Sequence, residues 1–149
     1  MTTLKIGDKA PAFSGLTQEG KTISSTDLLG KKYVLFFYPK AETPGCTAEA
    51  CDLRDNYHAL QKQGFEVIGV STDAVEKQKR WTEKHQLPYT LISDTDKKIV
   101  NDFGVWGEKK MMGRTYMGIH RTTFIINEIG VIENIITKVN TKAHAEQIL

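Results

Sequence analysis

The chain has 149 residues, enough for one sizeable hydrophobic core and too few for two, so a single domain over residues 1–149 is expected. Its formal net charge is +2 with acids and bases interspersed, which gives no basic block for nucleic acid; no apolar window of about 18 residues and no apolar leader signal a membrane or secretion. The cytosol is the default compartment, and two cysteines are too few for a disulfide scaffold or a structural zinc site, which leaves inert core thiols or reactive ones.

In chain order, Ala10–Phe13, Thr17–Gly20 and Lys21–Ile23 read as a short hairpin turning at Gly20, followed by a capped helical turn over Ser25–Gly30. Tyr33–Tyr38 is an apolar run without polar alternation, as in a central strand covered on both faces. Pro39 ends it for want of an N–H, and Thr43-Pro44 starts a helix, the threonine as cap and the proline at the first helical position. That helix is expected from about Thr43 to Gln63, because Cys46, Ala50, Leu53, Tyr57 and Leu60 fall on one face. Phe65–Ser71 reads as a second covered strand, so strand, helix and strand form a right-handed βαβ unit.

Asp73 is expected to cap a mostly solvated helix reaching about His85, with Glu76 completing a variant capping box. Leu87–Ile92 offers a short strand, and Asp96–Phe103 a short helix with Ile99, Val100 and Phe103 inward. Gly104–Gly118, rich in glycine, lysine and methionine, reads as a mobile loop; it lacks the spacing of either phosphate-binding glycine motif. Thr122–Ile126 and Val131–Val139 flank the turn Asn127–Gly130, and a last helix starts near Thr141. The class is α/β: a central mixed sheet flanked by helices with an N-terminal hairpin extension, the thioredoxin-like arrangement. Fold alone does not give function.

The cysteines carry the chemistry. Cys46 falls in the first turn of its helix, on the core-facing side. A free thiol titrates near about pH 8.5, and lowering its pKa to about 6 raises the thiolate population at neutral pH from about 3% to about 90%, roughly thirtyfold. Unpaired N–H groups at the helix start, the Thr43 hydroxyl and a cation from elsewhere in the fold are three possible causes; an inert core cysteine is the competing reading. Cys51 follows five residues later. On an ideal helix that spacing gives a rotation of about 140° and a Cα separation of about 8–9 Å, whereas a disulfide needs less than about 7 Å. The two can bridge only if the helix unwinds locally, unlike a thioredoxin-type C-x-x-C.

Phe37-Tyr38-Pro39-Lys40, Thr43-Pro44-Gly45-Cys46-Thr47, Glu49 and Cys51 resemble the P-x-x-x-T-x-x-C active-site signature of peroxiredoxins. The cysteine five positions on resembles the Q-type, or bacterioferritin-comigratory-protein, subfamily. Gly7–Phe13, Val67–Ser71, Tyr116–Ile119 and Arg121–Ile126 extend the likeness over nearly the whole chain; Ala41-Glu42 and Asn127 depart from the pattern away from the thiol chemistry.

The resemblance implies a thiol peroxidase with Cys46 as the peroxidatic and Cys51 as the resolving cysteine, Thr43 and Arg121 as polar partners, and Pro39 as the shield of the thiol pocket. It further implies a hydroperoxide substrate, a thioredoxin-type reductant, no metal, haem or flavin, and a monomer, since the second thiol lies in the same helix. Thiolate population alone does not make a fast peroxidase, because a lower pKa also weakens the nucleophile; Arg121, Thr43 and backbone N–H groups are expected to stabilise charge on the peroxide oxygens. Two readings compete: a protein disulfide oxidoreductase, for which C-x-x-C is expected, and a redox-sensing or chaperone module.

Other residues read more plainly. Glu49 is placed on the exposed side of the apolar stripe, where it either offsets the helix dipole or orients Arg121. His58, His85, His120 and His144 show no ligand spacing and read as surface or structural residues; Trp81 and Trp106 read as packing residues, and Met111, Met112 and Met117 as gap fillers in preference to the lining of an apolar pocket for an organic peroxide.

Overall fold

The computed structural model describes residues 2–149. The chain runs through strands β1 (Ser14–Thr17) and β2 (Thr22–Ser24), a 3-10 turn over Ser25–Leu28, and β3 (Lys32–Phe37), then helices α1 (Pro44–Asp55) and α2 (Tyr57–Lys62). It continues through β4 (Phe65–Ser71), α3 (Val75–His85), β5 (Thr90–Ser93), α4 (Lys98–Asp102), β6 (Trp106–Met111), β7 (Arg114–Ile119), β8 (Thr122–Ile126), β9 (Ile132–Ile136) and α5 (His144–Ile148).

Seven strands form one mixed sheet in the order β2-β1-β5-β4-β3-β8-β9. At its centre β3 pairs parallel with β4, Val34 opposite Val67, and antiparallel with β8, Leu35 opposite Phe124. The apolar run Tyr33–Tyr38 is buried throughout because both sheet faces are covered. Tyr33, Leu35 and Phe37 join Phe13, Phe103 and Phe124 on one face; Val34, Phe36 and Tyr38 join Cys46, Leu53, Trp81 and Leu91 on the other. Each such large side chain taken out of water contributes about 2–3 kcal/mol, and together they fix the strand that leads into the cysteine helix. Gly69 in β4 is required for this packing: a Cβ there would lie 2.7 Å from Phe36 Cζ and 2.8 Å from Leu91 Cδ2. The thioredoxin-like mixed sheet with its hairpin extension is as expected, although the hairpin's first strand begins at Ser14, not Ala10.

Several local expectations are corrected. The helix read from Thr43 to Gln63 is two helices parted at Asn56, whose backbone leaves helical geometry (φ −108°, ψ 10°) while its side chain donates to the Asp52 carbonyl at 2.9 Å. A stripe of apolar residues records face, not continuity, so the break left no trace in it. Asp73 does not cap α3; Ala74 holds that position, and the Asp73 carboxylate serves the loop before α1 instead. The presumed loop Gly104–Gly118 is largely the antiparallel pair β6–β7, registered from Trp106 opposite Ile119 to Met111 opposite Arg114. Its turn is Met112-Gly113, with φ of 52° and 76°, the paired left-handed geometry of a tight hairpin. Met111, Met112 and Met117 are exposed on it, filling no gap. Since both faces of most of this ribbon meet solvent, it shows no apolar alternation to read. Among the described residues no helix is long and apolar enough to cross a membrane.

Candidate active site

The loop between β3 and α1 is fastened from beneath. Asp73 Oδ2 accepts the Ala41 N–H and the Ser71 hydroxyl, each at 2.7 Å, and Asp73 Oδ1 faces Lys77 Nζ at 3.1 Å. This holds a loop in which Glu42 adopts a left-handed φ of 69°, uncommon outside glycine. Pro39 is half-buried two residues beyond the end of β3. Thr43 stands at the N-cap position of α1, with its carbonyl accepting the Thr47 N–H at 2.9 Å. The side-chain cap expected of it is absent: its hydroxyl turns back and donates to the Lys40 carbonyl at 2.6 Å.

Pro44 opens α1 and Cys46 is its third residue, with 1% of its surface exposed. Arg121, at the junction of β7 and β8, reaches it from the sheet. One guanidinium nitrogen, Nη2, lies 3.4 Å from Cys46 Sγ, and the other, Nη1, donates to Glu49 Oε1 at 2.6 Å. Burial opposes the charge on Arg121, but Cys46 and Glu49 more than offset it, and its pKa rises. One fork thus spans the thiol and a carboxylate one turn further along α1.

Glu49 is not on the exposed side. Its side chain is fully buried, because three residues after Cys46 it shares the face turned toward β8 and α5. A carboxylate with an arginine partner sits in a position that an apolar stripe excludes. Burial pushes its pKa up to about 7, outweighing the attraction and hydrogen bond of Arg121. Lys109 of β6 donates to the Ile119 carbonyl at 2.9 Å; burial, and then repulsion from Arg121, lower its pKa, so a second cation stands beside the fork.

Cys51 is half-buried, and both cysteines are free thiols. The intervening turn is tethered from outside: Trp81 Nε1 donates to Thr47 Oγ1 at 3.1 Å, and the Tyr89 hydroxyl to the Ala50 carbonyl at 2.6 Å. Further on, Asp52 Oδ2 accepts the Ala145 N–H at 2.8 Å, joining α1 to α5.

The structure therefore brings Cys46, Glu49 and Arg121 into contact, keeps Cys51 on the same helix, and places Thr43 and Pro39 in the flanking loop. Sequence reasoning missed Asp73, Tyr89 and above all His144, which is fully buried with Nε2 3.5 Å from Glu49 Oε2. Ninety-five positions separate these two residues, and no short motif links them. The other histidines lie elsewhere: His58 is exposed, while His85 and His120 are half-buried. Trp81 is core packing, as expected, and Trp106 lies under Lys97 Nζ at 5.4 Å. Among the described residues no group of three or more His, Cys, Asp or Glu side chains is arranged to hold a metal ion.

Comparison with known proteins agrees with this thiol-centred geometry. The AhpC/TSA family model matches residues 6–135. A putative peroxiredoxin bcp of Haemophilus influenzae is 49% identical over 149 residues, covering 100% of this chain and 96% of the relative. Peroxiredoxin Bcp of Escherichia coli is 48% identical over the same coverage. Among solved structures, peroxidoxin BcpB of Mycobacterium tuberculosis superposes with a TM-score of 0.85 at 35% identity, covering 97% of this chain and 93% of that one. The bacterioferritin comigratory protein of Xanthomonas campestris, described for its alkyl peroxide reduction activity, gives 0.87 at 29% identity, covering 99% and 94%. A buried thiol under an arginine fork, on a fold shared end to end with these relatives, places the chain in the AhpC/TSA family as a peroxiredoxin of the Bcp and Q type, a thiol-dependent peroxidase.

Proposed function

We propose that Cys46 is the thiol that hydroperoxides oxidise and that Cys51 resolves the product within the same chain. The observation that carries this is the single guanidinium of Arg121, 3.4 Å from Cys46 Sγ and anchored on Glu49. In the first step the Cys46 thiolate attacks the terminal peroxide oxygen. The O–O bond breaks, the sulfur becomes a sulfenic acid, and the departing oxygen takes up a proton to leave as water or an alcohol. Arg121 and the N–H groups at the start of α1 donate to the peroxide oxygens as charge shifts onto the leaving one, and Thr43 and Pro39 bound the approach. In the second step the Cys51 sulfur attacks the sulfenic sulfur, an S–S bond forms and water leaves, which requires α1 to unwind between the two residues.

A dithiol protein of the thioredoxin type then reduces the bridge, and its two electrons close the cycle. Organic hydroperoxides join hydrogen peroxide as substrates, a reading supported by the activity named for the Xanthomonas relative. Because both thiols lie in one helix, the chain acts as a monomer and a single domain; because they must be returned to the reduced state, the cytoplasm is its compartment. One equivalent of hydrogen peroxide added to the reduced protein should give a Cys46–Cys51 bridge within one chain by mass spectrometry. Cys46→Ser should abolish turnover, and Cys51→Ser should allow one round of reduction without a bridge. A Cys46→Ser protein that still consumes peroxide at the parent rate would refute the assignment.

A further inference from the structure

The contacts of Glu49 continue past the arginine into the C-terminal helix. Its Oε1 is taken by Arg121, but Oε2 is buried with no hydrogen-bond partner among the described residues. Its polar neighbour is His144 Nε2 at 3.5 Å, and both side chains are fully buried.

The orientation of His144 is set from both sides. Gln147 Oε1 accepts the Asn140 N–H at 2.9 Å, while Gln147 Nε2 donates to the Lys138 carbonyl at 2.9 Å, so the amide cannot be reversed without losing both bonds. His144 Nδ1 lies 2.7 Å from that same Oε1 and must carry the hydrogen. In the neutral ring Nε2 is then bare, 2.8 Å from the Thr123 hydroxyl and turned toward Glu49. A bare ring nitrogen and a carboxylate oxygen repel at this separation. One proton between them, on Nε2 or on Oε2, turns the contact into an attraction and gives the orphaned oxygen a partner.

We propose that His144 is a positioning residue of the peroxidase: sharing one proton with Glu49 Oε2, it holds the carboxyl group that aims Arg121 at Cys46. The last helix is on this account a working part of the site, although the family match ends at residue 135. Burial lifts Glu49 to a pKa of about 7 and lowers that of His144, so the shared proton leaves in the neutral range. The groups facing the pair are Arg121 from the sheet, Cys46 and Asp52 from α1 and Tyr89 ahead of β5; Asp52 favours a charged His144 and Arg121 opposes it.

The inference rests on Cys46 being the oxidised thiol. Stopped-flow measurement of Cys46 oxidation by hydrogen peroxide across the neutral pH range, on the full chain, tests it. His144→Phe keeps ring volume and removes both nitrogens; the second-order rate constant should fall about tenfold, and its inflection near neutrality should move to lower pH, because the one-proton state loses its support. In a Glu49→Gln background the fall in rate above neutrality that marks loss of the shared proton should vanish, and adding His144→Phe should change the rate less than about twofold. Gln147→Ala, at an exposed position, should give a smaller loss with the same acid shift and serves if His144→Phe does not fold. A folded His144→Phe protein, or Gln147→Ala in its place, with the parent's rate and pH profile would overturn the inference, as would an equal loss in both backgrounds. Both of those results leave Cys46 oxidation intact, whereas a parent protein whose Cys46 is not oxidised at all overturns the underlying reading as well.

Discussion

The Tyr89 hydroxyl donates to the carbonyl of Ala50 at 2.6 Å, one residue before Cys51. Tyr89 belongs to the segment leading into β5, so this bond ties the turn between the two thiols to the sheet. If that turn must open before Cys51 meets Cys46, the bond opposes opening. Tyr89→Phe should quicken bridge formation about fivefold, as expected for one net hydrogen bond, and leave the first oxidation unchanged. Acid-quenched samples taken after a single peroxide addition give both rates; an unchanged bridging rate would exclude Tyr89 as a restraint.

Arg121 touches Glu49 with one nitrogen and Cys46 with the other. Lysine offers one ammonium and cannot reproduce that fork. Arg121→Lys should slow peroxide reduction by about a hundredfold, the typical effect of losing one donor aimed at developing charge. A stopped-flow rate within about twofold of the parent would exclude the fork as the source of stabilisation.

Glu49 supplies a pH signature in stability. Its folded pKa of about 7 lies above the ordinary carboxyl value, so the folded state binds its proton more tightly than the unfolded chain. The resulting stabilisation is fully present below about pH 4.3 and is lost as pH rises through about 7. Relative to Glu49→Gln, the reduced parent should therefore lose on the order of 2–3 kcal/mol between about pH 5 and pH 8. Urea titrations of both proteins would show it, and parallel pH curves would mean that the buried carboxyl has an ordinary affinity for its proton.

What could be read from the chain divides along physical lines. Tyr33–Tyr38 announced a doubly covered strand because every side chain in it meets protein, and Pro39 and Thr43-Pro44 marked the turn into the helix through backbone chemistry that acts locally. Cys46 stood out by its place in the first turn of the capped helix, and Arg121 through the resemblance, whose motifs lie far apart but in a fixed order. Glu49 was misplaced because its burial depends on an arginine 72 positions away, a partner that no local pattern reports. His144 carried still less signal, since a buried polar residue in a five-residue helix looks like any surface histidine until the tertiary contacts are known. The β6–β7 ribbon was unreadable for the opposite reason: having little buried face, it left the sequence free of the alternation by which strands are recognised.

Gly69 gives a test of packing independent of the chemistry. The carbon added by Gly69→Ala would stand 2.7 Å from the Phe36 ring, inside a fully buried layer. Overpacking of this kind costs about 1–3 kcal/mol. Because Phe36 shares its layer with Cys46 and Trp81, the urea midpoint should fall with little change in slope, and an undiminished midpoint would show that the layer yields.

The interruption at Asn56 bounds how far a disturbance can travel. The dozen residues bearing both thiols end there, and the short α2 that follows has its own footing on the core through the buried Leu60. Whatever rearrangement the sulfur chemistry demands has a joint at which to stop, so β4 and the central strands can serve as a fixed bench if, as proposed, the neighbouring coil opens to join the two sulfurs.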